Sequence, residues 1–227
     1  MAKNNGLQIN ACGALTGPTD PARTPRRMSA SSFLADYRTA AAEREALGIP
    51  ALPLTAEQAA ALTELLAAPP AGEEAFLLQL LSERIPPGVD EAAYVKASWL
   101  SAVAQGNASS PLVSPIEAVQ LLATMIGGYN VGALIALLSS ADAAIADAAA
   151  TGLSRTLLVY DAYNEVLELA EGNAYARRVI DSWAAAEWFT AKPELPAEIT
   201  VTVFKVEGET NTDDLSPATH ATTRPDI

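Results

Sequence analysis

The densest group of chemically capable side chains lies near the carboxy-terminal end. Gly208-Glu209-Thr210-Asn211-Thr212-Asp213-Asp214-Leu215-Ser216-Pro217-Ala218 gathers hydroxyls, an amide and carboxylates, and Arg224-Pro225-Asp226 follows closely. A guanidinium meets a carboxylate with two parallel hydrogen bonds, so an arginine beside a polar loop suits recognition of a polycarboxylate. By residue type alone the same stretch is also an exposed turn. His220 has no second histidine or cysteine near it to share a metal, so it reads as a solvated loop residue. No glycine-rich phosphate loop, metal-ligand cluster or nucleophile elbow occurs anywhere in the sequence. Cys12 is the single cysteine; it can form no intrachain disulfide and cannot by itself hold an iron–sulfur cluster.

The elements that would carry this loop follow from punctuation. Phe33 to Leu47 is alanine-rich and stops at Gly48. Thr55-Ala56-Glu57-Gln58 and Ser114-Pro115-Ile116-Glu117 are capping boxes, in which a hydroxyl and a side chain three residues on exchange backbone hydrogen bonds. Pro69-Pro70, Pro86-Pro87-Gly88, Gly106, Gly127-Gly128 and Gly152 end successive helices. Glu73 to Arg84, Asp90 to Gln105, Val131 to Leu138 opened by Asn130, Ser140 to Ala150, Ser154 to Glu171 and a helix capped by Asn173 and reaching Phe189 complete the series. Tyr94, Trp99, Tyr129, Tyr160, Trp183 and Trp188 fall on these helices or their ends and read as packing residues. Roughly nine short helices joined by tight turns predict a mainly α body of stacked helix pairs. Its long faces suit association with protein, most simply a second copy of the chain. From Ile199 to Val206 the pattern alternates with β-branched residues and predicts a strand. A lone strand cannot satisfy its edges, so this tail reads as the opening of a second domain.

Three segments result: a disordered extension over 1–32, a HEAT-like helical domain over 33–192, and a linker with the incomplete β-containing start of another domain over 193–227. The extension carries Lys3, Arg23, Arg26 and Arg27 against one acid, Asp20, without the apolar stretch of a secretory signal. Half of the 227 residues are hydrophobic, yet no apolar run approaches a membrane span. The net charge of −13 disfavours direct binding to nucleic acid or to anionic membranes. Nothing in the cysteine content asks for an oxidising compartment, and a cytoplasmic location is expected.

Several stretches carry a family resemblance. Val201-Thr202-Val203-Phe204-Lys205-Val206-Glu207 running into the polar loop above, then Arg224-Pro225-Asp226-Ile227, closely resembles aconitase B. So do Pro69-Pro70-Ala71-Gly72-Glu73-Glu74, Arg84-Ile85-Pro86-Pro87-Gly88-Val89-Asp90, Gly127-Gly128-Tyr129-Asn130 and Ser182-Trp183-Ala184-Ala185-Ala186-Glu187-Trp188-Phe189, in matching order. The resemblance implies a hydro-lyase that interconverts citrate and isocitrate through cis-aconitate, and in many members acts on 2-methylisocitrate. It implies a [4Fe–4S] cluster in the full-length enzyme, none of it held here, and a tail that opens the swivelling domain. It assigns Arg224 to a substrate carboxylate, with Asp213 a weaker candidate for ordering the loop. Ala218-Thr219-His220-Ala221-Thr222-Thr223 departs from the family pattern by lacking a tryptophan. The cluster cysteines, catalytic serine segment and further substrate arginines have no counterpart here, so the chain alone is expected to be inactive. The competing expectation is a stand-alone helical interaction module.

Overall fold

The computed structural model describes residues 30–156, 159–192, 194–203, 205 and 207–212. Ten helices follow one another among them: α1 (Ala30–Ala46), α2 (Ala56–Ala67), α3 (Glu74–Glu83), α4 (Glu91–Ala104), α5 (Pro115–Leu122), α6 (Val131–Leu137), α7 (Ala143–Ser154), α8 (Ala162–Leu169), α9 (Ala174–Ala184) and α10 (Glu187–Thr190). The proposed extension over 1–32 lies almost wholly outside the described residues.

Local chemistry sets most helix ends where the sequence places them. Thr55 Oγ1 accepts from Gln58 N at 3.3 Å while Thr55 N donates to Gln58 Oε1 at 3.0 Å. Ser114 and Glu117 repeat the exchange at the start of α5, with Pro115 at the first helical position. Asn173 Oδ1 accepts from Tyr175 N and Ala176 N at 2.9 and 3.0 Å. Its Nδ2 donates to Leu138 O at 2.9 Å, so one side chain caps α9 and ties it to the end of α6.

Each helix packs mainly on its near neighbours in sequence. The line α2, α4, α5, α7, α9 runs through the body, with α1 and α3 against α2, α6 against α7, and α8 against α9. One continuous apolar core follows this line from Phe33 to Val179. Its largest fully buried side chains are mostly leucines. Each contributes about 1.5–3 kcal/mol through removal from water. This is the mainly α body that the sequence predicts.

Four boundaries differ. Asp142, not Ser140, caps α7, accepting from Ala144 N at 2.8 Å. Gly152 does not end α7 but lies inside it, where an added Cβ would stand 2.6 Å from Ala123 Cβ of the neighbouring helix end. A packing need, invisible in local punctuation, explains that glycine. Ser154 therefore closes α7 rather than opening α8. The last predicted helix breaks at Ala186, whose φ of +52° is left-handed, and resumes as α10.

The predicted strand is absent among the described residues. Residues 199–203 take no regular secondary structure, and Ile199, Val201 and Val203 stand exposed. A strand is defined by ladder hydrogen bonds, and no partner edge lies beside this segment among the described residues.

Candidate functional site

Arg224 and Asp213, the residues the sequence nominates, lie outside the described residues, as do His220 and Cys12. The part of the polar loop that is described, 207–212, is exposed, with Gly208 at φ +91° and Lys205 paired to Glu207 at 3.0 Å.

What the structure brings together is a pair of motifs distant in the chain. The turn Pro86-Pro87-Gly88-Val89 before α4 meets Ile126-Gly127-Gly128-Tyr129 after α5. Pro87 O accepts from Ile126 N at 2.9 Å and from Gly127 N at 3.3 Å. The backbones approach so closely that a Cβ on Gly127 would sit 2.0 Å from Gly88 O. Tyr129 Oη donates to Val89 O at 3.0 Å across the same junction. Tyr94 of α4 then meets Tyr129 edge to face, with ring centroids 5.4 Å apart, a favoured arrangement for aromatic pairs. Tyr94 and Tyr160 are well exposed rather than packed inside, whereas Trp99 and Trp183 lie against the core.

Asn130 sits beneath this junction, wholly buried. It occupies the start of α6 but makes no cap bond there. Its Nδ2 instead donates back to Leu122 O and Met125 O at 2.9 and 3.0 Å. Leu122 O also accepts from Met125 N at 3.1 Å, so the amide adds a second donor to one carbonyl at the end of α5 and supplies one to the other. Asn130 Oδ1 is buried without a partner among the described residues. Beside the junction opens a cavity of about 750 Å³ between the 50–57 segment and the start of α4. Arg84 on its wall is held by Tyr37 Oη at 3.0 Å and by the carbonyl of Ala51.

Charge is handled locally. The Arg38 guanidinium holds the Glu73 carboxyl below the usual carboxylate range, and the Ser114 hydroxyl and backbone do the same for Glu117. Lys96, on the inner face of α4, is only 2% exposed. Burial disfavours the charged form and pushes the ammonium down to about 8. Lys96 carries no warning in the sequence, because a lysine inside an alanine-rich helix looks like a solvated face until its neighbours are known.

The donor set does not fit an iron–sulfur cluster. Among the described residues no three histidine, cysteine or acidic side chains gather as metal ligands, and the whole sequence offers one thiol. No described helix is long and apolar enough to cross a membrane.

By its architecture the described body is a stacked helical domain whose assets are its surfaces. The chain belongs to the aconitate B N-terminal domain family, which matches residues 36–189. A second family, aconitate hydratase 2 N-terminus, matches residues 201–227. Aconitate hydratase B of Synechocystis sp. is 62% identical over 86% of this chain, that of Escherichia coli 59% and that of Helicobacter pylori 48%. The chain spans between 22% and 23% of the length of these relatives.

Proposed function

We propose that this chain is the amino-terminal part of a B-type aconitate hydratase, a hydro-lyase interconverting citrate and isocitrate and dehydrating 2-methylisocitrate in the cytoplasm. One observation carries the reading: two aconitase families match in order along the chain, the first on the helical body and the second on residues 201–227. In this reading the helices stack in HEAT fashion, and the tail from about residue 193 opens the swivelling domain. The helical body supplies association, most simply with its own copy, and no reacting group. Arg224 clamps one carboxylate of the tricarboxylate, because a planar fork matches a carboxylate and adds charge where the substrate is most anionic. Asp213 orders the loop that presents it.

The test is a graft of residues 33–227 into the matching segment of the Synechocystis relative. The chimera should retain citrate–isocitrate turnover. Arg224→Lys in that chimera should then lower kcat/KM at least tenfold, since losing such a contact costs about 2–5 kcal/mol. A chimera that folds and carries its cluster but does not turn over would remove the proposal. An Arg224→Lys variant with unchanged kinetics would remove the role of Arg224.

A further inference from the structure

We infer that the cleft between α7, α9 and α10 binds a small polyanion, one bearing two or more carboxylate or phosphate groups. The cleft encloses about 630 Å³, within the usual range for small-molecule sites. Three cations line it, Arg155, Arg178 and Lys192, with Glu187 on the lining and Asp147 paired to Arg178, which leaves a net charge of +1. That local excess stands in a chain whose net charge is −13, so the cleft is a positive focus on an acidic molecule.

The cations differ in how they are held. Arg178 is fixed in place: Nη1 donates to Asp147 Oδ1 at 2.6 Å and Nη2 to Asp147 O at 2.8 Å. Arg155, at the C-cap of α7, makes no side-chain hydrogen bond or ion pair among the described residues. It is not needed to satisfy the helix end, because other donors already do so. Thr156 Oγ1 donates to Gly152 O at 3.1 Å. Trp183 Nε1 donates to Leu153 O at 3.2 Å. Ser154 Oγ donates to Ala150 O at 2.8 Å. Among the described residues Lys192 has only the Phe189 ring, 5.5 Å away. Glu187, the acid on the lining, is engaged by the Ser182 hydroxyl at 2.7 Å. The partly exposed Trp188 supplies an apolar wall. Two uncommitted cations beside one pre-oriented guanidinium can each take a separate anionic group, which a chloride cannot do and a polyanion can. The cleft owes nothing to the activity proposed above.

The test uses the full 227-residue chain in calorimetric titration with trisodium citrate and with sodium pyrophosphate, at ionic strength held constant with sodium chloride. A saturable isotherm is expected for at least one of them, citrate alone marking a carboxylate site and both marking a general polyanion site. The indole resonance of Trp188 should shift during the titration while that of Trp99 does not. The double variant Arg155→Gln/Lys192→Gln should weaken binding at least tenfold, as loss of charge-assisted contacts requires. Both residues are exposed, so its unfolding midpoint should match that of the parent. Lys205→Gln, in the tail, should bind as the parent does. No saturable binding of either anion at millimolar concentration, undiminished binding in the double variant, or equal loss in Lys205→Gln would each overturn the assignment.

Discussion

Replacing Gly127 by alanine tests whether the junction between the two proline- and glycine-rich turns holds the stack together. The new Cβ would lie 2.0 Å from Gly88 O, 2.2 Å from Gly88 C and 2.8 Å from Val89 N, all backbone atoms that cannot rotate away. Restoring normal contact requires the turns to part by about 1.5 Å. That separation breaks the bonds from Ile126 N and Gly127 N to Pro87 O and the bond from Tyr129 Oη to Val89 O. Three hydrogen bonds at about 1 kcal/mol each, with strain of about 1–3 kcal/mol, give a loss of about 4–6 kcal/mol. With a urea slope of about 2 kcal/mol per molar, the midpoint followed by circular dichroism should fall by about 2–3 M. Gly132→Ala is the matched control. It lies exposed in α6 with nothing within 4 Å of an added Cβ. That change should stabilise by about 0.5–1 kcal/mol through helix propensity. A Gly127→Ala midpoint unchanged from the parent, or a stability loss in Gly132→Ala equal to that of Gly127→Ala, would refute the reasoning.

Lys96 sets a pH dependence. Its folded value of about 8 lies below the ordinary 10.5. The difference corresponds to about 3 kcal/mol against folding while the group is charged in both states. That penalty is complete below about 8 and is relieved between about 8 and 10.5, so stability relative to Lys96→Met should rise with pH across that window. Urea midpoints of the two proteins at pH 7 and pH 10 check this; a constant difference counts against it. Ser114→Ala should cost about 1 kcal/mol by removing the capping box of α5, read from the thermal midpoint. Anaerobic incubation of the chain with iron and sulfide should leave no stoichiometric cluster absorbance, since Cys12 is the only thiol.

The caps are legible in the sequence because they are local. Thr55, Ser114 and Asn173 each satisfy donors within three residues, and the structure uses all three in that way. Gly127 and Gly152 look like terminators in the sequence, yet each exists for a close approach to a distant part of the chain, Gly88 in one case and Ala123 in the other. Asn130 departs from expectation for the same reason: its position says cap, but its amide reaches back to α5. The alternating residues after Ile199 have the strand pattern without a neighbouring edge among the described residues. The cationic cleft is not legible at all, since its three cations come from α7, α9 and the residues beyond α10. Arg224 and Asp213 stand out only through family resemblance and lie beyond the described residues.

Because the helices pack mainly on near neighbours in sequence, the body has a low contact order. Few long loops must close before favourable contacts form, so ordering can start at any layer and spread outward at little entropic cost. The same arrangement lowers the penalty for opening an end. The α9–α10 terminus, already broken at Ala186, can detach while α2 to α7 stay folded. Protection against hydrogen exchange should therefore grade along the chain rather than vanish all at once. Whatever is attached beyond residue 192 is joined to a terminal layer of the stack.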